Sequence, residues 1–349
     1  MGIEEYIAAY RETLNEFIID RMTNLVRTHT GNGKEVAGLY ATLREASLGA
    51  KHIRGSLVKL GYEIISPQKA GDSLLPVAAA CEILQTALLC HDDIIDRSPL
   101  RRGKPSIWQK IASDYDDPHY GLSQATMLGD CALILANRLI AGSELDADKK
   151  ISLLLKFQEM QLKTIDGEIL DVFMGKTKSY RDRPAILNIS RLKTAWYTIV
   201  GPLQLGALAA GAGADALEQM EKFGMSLGIA FQIRDDILGI QASERETGKS
   251  NTSDITEGKV TLLIHYALKN GTPRQIERID KIYGAASISE EERLEISEIF
   301  RDSKAFEDSA KMAEEYLNDA RQYVGKITTS PEKAEMLLQL SDLVFLRKR

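Results

Sequence analysis

Cysteine is scarce. Cys81, Cys90 and Cys131 are the only three in 349 residues, and no two of them form a CxxC pair. An odd, scattered set excludes a disulfide framework and points to a reduced compartment. None of the five histidines, His29, His52, His91, His119 and His265, has a glutamate three residues before it, so the Glu-x-x-His pairs of a di-iron bundle are missing. No Pro/Ser-rich linker, low-complexity tract or repeat interrupts the chain, so a single domain over residues 1–349 is expected. The start, Met1-Gly2-Ile3-Glu4-Glu5, is acidic and has no apolar signal core, which gives a cytoplasmic expectation. Positive charge is not in excess either. A net charge of −6 argues against bulk affinity for nucleic acid. One run, Thr194 to Ala214, carries no charge and is long enough to span a bilayer. Gly201, Pro202, Gln204, Gly206, Gly211 and Gly213 interrupt it, so a buried central helix is expected and no transmembrane segment.

With 44% hydrophobic residues, the chain can bury a large core. Apolar residues recur at helical spacing in Tyr6 to Ile19, Val77 to Ile95, Ala125 to Leu139, Leu153 to Val172, Ile186 to Leu208 and Met220 to Ile240, and no convincing alternating strands appear. The fold class is therefore all-α. Asp72-Ser73 is the expected N-cap of the helix leading to Ile95, with Pro76 tolerated in its first turn. Gly31 and Gly33 read as a turn, since no nucleotide fingerprint follows them.

Chemistry concentrates in two acidic clusters, Asp92-Asp93-Ile94-Ile95-Asp96 and Asp235-Asp236. Asp92 and Asp96 stand at i and i+4, on one helical face. Like charges that close destabilise a helix by some tenths of a kcal/mol. A hard divalent cation reverses that sign, and carboxylate oxygens suit magnesium. Cationic residues flank both clusters. Arg101 and Arg102 lie in a loop marked by Pro99, Gly103 and Pro105, and arginine forks match phosphate oxygens. After the second cluster come Thr247-Gly248-Lys249, Ser253-Asp254-Ile255 and Glu257-Gly258-Lys259.

From about Gly49 onward the chain resembles the trans-isoprenyl diphosphate synthases, the polyprenyl synthetase family. Besides the two Asp-rich motifs, the resemblance rests on Gly49-Ala50-Lys51-His52-Ile53-Arg54-Gly55, on Gln85 seven residues before Asp92, and on Lys193-Thr194-Ala195. It implies a helical bundle of the isoprenoid synthase type with a central cavity. Lys51, Arg54, Gln85 and Arg102 are then expected to bind isopentenyl diphosphate, and Arg101, Lys193, Lys249 and Lys259 an allylic diphosphate. Three magnesium ions are implied, two at the first motif and one at the second, with Asp92, Asp96 and Asp235 as ligands. Asp93, Asp236 and Asp254 join that acidic set, Asp236 and Asp254 acting through water or from behind the ligands. The sequence also departs from the family: Gly239 stands where many relatives have the last aspartate of the second motif, Gly55 where many have proline, and Ala50 where many have a second glycine.

The implied mechanism places the acid clusters on opposite walls of one cavity, ionises the allylic diphosphate and lets the alkene of isopentenyl diphosphate attack the cation. Arg101 and Lys193 act on the leaving group, and Thr194 and Gln232 stabilise the cation by their dipoles. The released pyrophosphate takes the proton. Product length is expected to depend on the helix before Asp92, since an isoprene unit is on the order of 5 Å and helical rise is about 1.5 Å per residue. Ala87 and Leu88, where aromatics in the family block elongation, are not aromatic here, so a pocket past Leu84 toward Cys81 and a geranylgeranyl or longer product are expected, with farnesyl diphosphate as the alternative. Class I terpene cyclases need no isopentenyl site, and noncatalytic subunits lose aspartates. Both are therefore disfavoured. A homodimer is implied by the family, and a greasy product is compatible with peripheral membrane contact. The basic tail Arg347-Lys348-Arg349 resembles one that closes over the isopentenyl diphosphate in some relatives.

Overall fold

The computed structural model describes residues 2–177, 182–241 and 252–345. Ten helices lead in order: α1 (Ile3–Thr28), α2 (Lys34–Ser47), α3 (Ile53–Ile65), α4 (Leu75–Ile95), α5 (Ile107–Tyr115), α6 (Pro118–Ala141), α7 (Ala147–Thr177), α8 (Arg183–Ile189), α9 (Gly201–Ala209) and α10 (Ala214–Gln241). Between α8 and α9, Ser190–Val200 is π-helical. Ser253–Thr256, Leu262–Asn270, Pro273–Ile282, Glu290–Asp302, Ala305–Arg321, Val324–Ile327 and Pro331–Phe345 complete the α-helices. The described strands are β1 (Leu100–Arg101) and β2 (Lys104–Pro105), an antiparallel clip inside the expected arginine loop. The all-α expectation holds.

Two compact units emerge, one from residues 1–159, 201–220 and 327–339, the other from 160–200, 221–326 and 340–349. In the first, α4 packs along α6 because α6 turns a face of small residues to the interior, with Ala125, Ala132 and Ala136 wholly buried. The α3 and α9 backbones touch. A Cβ on Gly206 would lie 1.8 Å from the Val58 carbonyl, so only glycine permits this crossing. Asp72 and Ser73 do not cap α4 as expected. They form a 3₁₀ turn, Asp72–Leu74, whose Leu74 N–H bonds the Gly71 carbonyl at 3.1 Å, so the turn itself feeds the helix. Pro76 does sit in the first turn. Among the described residues, Asp72–Ile95 is the one helix long and apolar enough to cross a membrane, and 67% of its apolar window is buried inside the protein.

The second unit is built on branched aliphatics. Ile229, Ile233, Ile237 and Ile240 of α10 meet Ile186, Ile189, Ile255, Leu262, Leu263 and Phe300. Here one expectation fails: Ile186 to Leu208 is not one α-helix, and the uncharged run from Thr194 is split between the π-helical segment and α9. The type changes just before Pro202, which has no N–H to continue the ladder. Gly167 of α7 and Gly228 of α10 admit the wider segment. A Cβ on Gly167 would lie 2.2 Å from the Lys193 nitrogen, and one on Gly228 2.4 Å from the Ala195 Cβ.

Candidate functional site

In the first unit, the C-terminal end of α4 collects Asp92, Asp93 and Asp96, with Asp96 as the C-cap. That is the negative end of the helix dipole, so three carboxylates there are unfavourable without a cation. Arg101 supplies one. Its Nη2 donates to Asp92 Oδ2 at 2.7 Å and its Nε to Asp93 Oδ1 at 2.8 Å. Burial acts to lower the Arg101 pKa, but the charges of Asp92 and Asp93 outweigh it and the pKa is raised. The loop is closed around Ser98, whose carbonyl accepts from Ser106 Oγ at 2.8 Å and Trp108 Nε1 at 2.9 Å. Asp92 and Asp96 each offer an oxygen, within 4.8 Å of one another. Asp93 is 3% exposed and serves Arg101. Arg102 is exposed on a left-handed backbone with φ 56°.

Gln85, Leu88, Asp92 and Asp96, spaced along one face of α4, are all half-buried, whereas Cys81, Leu84 and Ala87 are fully buried. Lys51 is exposed and Arg54 is buried at the start of α3. Sequence reasoning missed Glu82, which lies 4% exposed with His52 and the Gly55 N–H against it. Its only signal is a lone acid inside the apolar run of α4.

In the second unit, the π-helical segment turns two consecutive residues to two helices. Lys193 Nζ meets Asp171 Oδ2 at 2.7 Å and Glu168 Oε2 at 2.8 Å, both on α7. Thr194 donates to Gln232 Oε1 on α10, and Gln232 Nε2 donates to Asp236 Oδ1 at 2.7 Å. Burial pushes the Asp236 pKa well up, and the nearby Asp254, Asp235 and Asp171 add to it against the Gln232 hydrogen bond. Asp235 is exposed one residue earlier. Lys259 Nζ lies 3.0 Å from Glu257 and 3.4 Å from Asp254. Asp171 and Glu168 were also missed by sequence reasoning, since nothing local marks them.

Gly239 acquires a physical meaning. A Cβ at this position would lie 2.7 Å from Asp254 Oδ2, so the space that a last aspartate of the second motif would enter is filled by the carboxylate of Asp254. Lys249 and the basic tail Arg347-Lys348-Arg349 lie outside the described residues.

Both acidic helix ends present hard oxygen donors, and cations already lie against carboxylates in each unit. Such donors suit magnesium better than softer metals. An all-α chain with acid and base paired at these helix ends fits the class of proteins that handle phosphate groups with hard cations. The chain belongs to the polyprenyl synthetase family, whose model matches residues 37–300. It is 31% identical over 303 residues to a geranylfarnesyl diphosphate synthase of Aeropyrum pernix, covering 86% of this chain and 91% of that one. With a geranylgeranyl diphosphate synthase of Sulfolobus acidocaldarius it shares 27% identity over 336 residues, 95% of this chain and 97% of the other. Among solved structures, the geranylgeranyl pyrophosphate synthase of Corynebacterium glutamicum, complexed with isoprenyl diphosphate and magnesium, superposes with a TM-score of 0.89 at 29% identity, covering 96% of this chain and 99% of that one.

Proposed function

We propose that the protein is a trans-polyprenyl diphosphate synthase that joins isopentenyl diphosphate head-to-tail to an allylic diphosphate, giving a geranylgeranyl or longer chain. The observation that carries this reading is that Arg101, Lys193 and Lys259, the cations expected to take the allylic diphosphate, each rest against carboxylates. Those carboxylates hold the three cations in place. Asp92, Asp96 and Asp235 would hold magnesium, with Asp236 and Asp254 behind them. When bound, the ions supply positive charge to the departing pyrophosphate oxygens.

Arg101, Lys193 and Lys259 grip the diphosphate, and their attraction grows as negative charge develops on the leaving group. The Thr194 to Gln232 to Asp236 chain fixes the Thr194 and Gln232 dipoles for the allylic cation. Lys51, Arg54, Arg102 and Gln85 hold isopentenyl diphosphate so that its alkene attacks. Product length is set along α4, at Leu88 and then Ala87, Leu84 and Cys81. Relatives named for geranylfarnesyl and geranylgeranyl products support a chain of that length.

A homodimer is supported by exposed apolar residues: Met127 and Ile134 on α6, and Leu162, Ile165, Ile169 and Phe173 at helical spacing on α7. A cytoplasmic location with peripheral membrane contact remains part of the reading. Incubation with magnesium, labelled isopentenyl diphosphate and each allylic starter is expected to yield labelled, elongated prenyl diphosphate. Starter consumed to a hydrocarbon without uptake of label would mark a cyclase, and silence of the purified chain alone would mark a partner subunit.

A further inference from the structure

The helix α3 begins without a cap of its own. The preceding residue, His52, is left-handed at φ 53° and ψ 40°, and its own side chain makes no capping hydrogen bond to the first turn. A non-glycine residue keeps such a backbone only where its surroundings determine it. Here the surroundings are Glu82 of α4. Its Oε1 accepts the Gly55 N–H at 2.8 Å, satisfying one of the amides that a helix start leaves open. Its Oε2 lies 3.2 Å from His52 Nδ1, and His52 Nε2 lies 3.3 Å from Asn15 Oδ1 of α1. Both Glu82 and His52 are buried, at 4% and 1% exposure.

A carboxylate buried this deeply persists only when it is paired and hydrogen-bonded. Burial pushes the Glu82 pKa up, yet His52, Arg54 and the Gly55 amide overcome that and leave it lowered. Gly55 fits the same device. Proline here would have no N–H to give, and a Cβ at this position would lie 2.3 Å from Leu14 Cδ2. Lys51 comes just before His52 and Arg54 two positions after it, and these are the two residues of the motif read as isopentenyl diphosphate ligands. Glu82 also stands one helical turn before Gln85.

We propose that Glu82, acting with His52, is a positioning residue for isopentenyl diphosphate: it caps α3 from α4 and fixes the turn that presents Lys51 and Arg54. This rests on the reading of Lys51 and Arg54 as isopentenyl diphosphate ligands. Two variants separate the device from simple support. Glu82→Gln keeps shape and an oxygen for Gly55 but removes the charge facing His52 and Arg54. His52→Gly keeps the left-handed backbone without strain and removes the imidazole.

Steady-state kinetics with each substrate varied are expected to show KM for isopentenyl diphosphate raised about tenfold in both variants. The KM for the allylic substrate and kcat should stay within about twofold. Lys51→Ala and Arg54→Ala serve as reference. If these raise the isopentenyl KM while Glu82→Gln and His52→Gly do not, the proposal is overturned and the site reading stands. If none of the four moves it, the site reading fails and takes the proposal with it. A uniform loss of kcat and of both affinities together with a lowered Tm would show a merely structural role and also overturn the proposal.

Discussion

Arg101 lies against both Asp92 and Asp93 at the acidic end of α4, so the charges that would hold metal are partly balanced by the chain itself. Removing Asp92 therefore costs more than one ligand, because Arg101 then relies on Asp93. Asp92→Asn is expected to lower turnover by about 10²-fold or more, with circular dichroism unchanged; activity within a few-fold of the parent would remove Asp92 from the site. Gly239 gives a sharper test of geometry. Gly239→Asp would press a second carboxylate on Asp254, and a loss of about 1–3 kcal/mol is expected in denaturant melts. Glu82 sets a pH dependence. Its folded-state pKa is lowered, so the stability it contributes is present above the ordinary glutamate range and is lost as pH falls through the lowered value. The Tm difference between the parent and Glu82→Gln should therefore be largest near neutrality and shrink below the ordinary glutamate range. A difference that does not change with pH would contradict the charge assignment.

Among the elements, α4 was the most legible in sequence, because its signals are local: a long apolar run, Pro76 in the first turn, and aspartates at i and i+4. The π-helical segment was not legible, since its cause lies in Gly167 and Gly228 on other helices, far away in sequence. The same holds for the pairing of Glu82 with His52 and of Gly239 with Asp254, which only tertiary packing brings together. Gly228→Ala is expected to push on Ala195, lowering stability by about 1–3 kcal/mol and reducing kcat through displaced Lys193 and Thr194; a thermal melt alongside kinetics checks both. Ala87→Phe is expected to shorten the product while leaving turnover detectable. Ala87 is fully buried, so a Tm loss should accompany the change, and unchanged product length would remove Ala87 from the pocket wall.

For the whole molecule, the motifs identified the family and the helical periodicity gave the fold class, while the division into two compact units had no mark in the sequence, because no linker separates them. Each unit carries one acidic motif: Asp92 to Asp96 in the first, Asp235 and Asp236 in the second. The exposed apolar side chains of α6 and α7 predict assembly. Light scattering is expected to give twice the chain mass, and Leu162→Glu to reduce it toward the single chain. Chain elongation by this polypeptide is tested by chromatography of the labelled product formed from farnesyl diphosphate and excess isopentenyl diphosphate with magnesium. Geranylgeranyl diphosphate or a longer prenyl diphosphate is expected, abolished by chelation of the metal. Failure to extend farnesyl diphosphate, with geranyl diphosphate carried only to the farnesyl product, would contradict it.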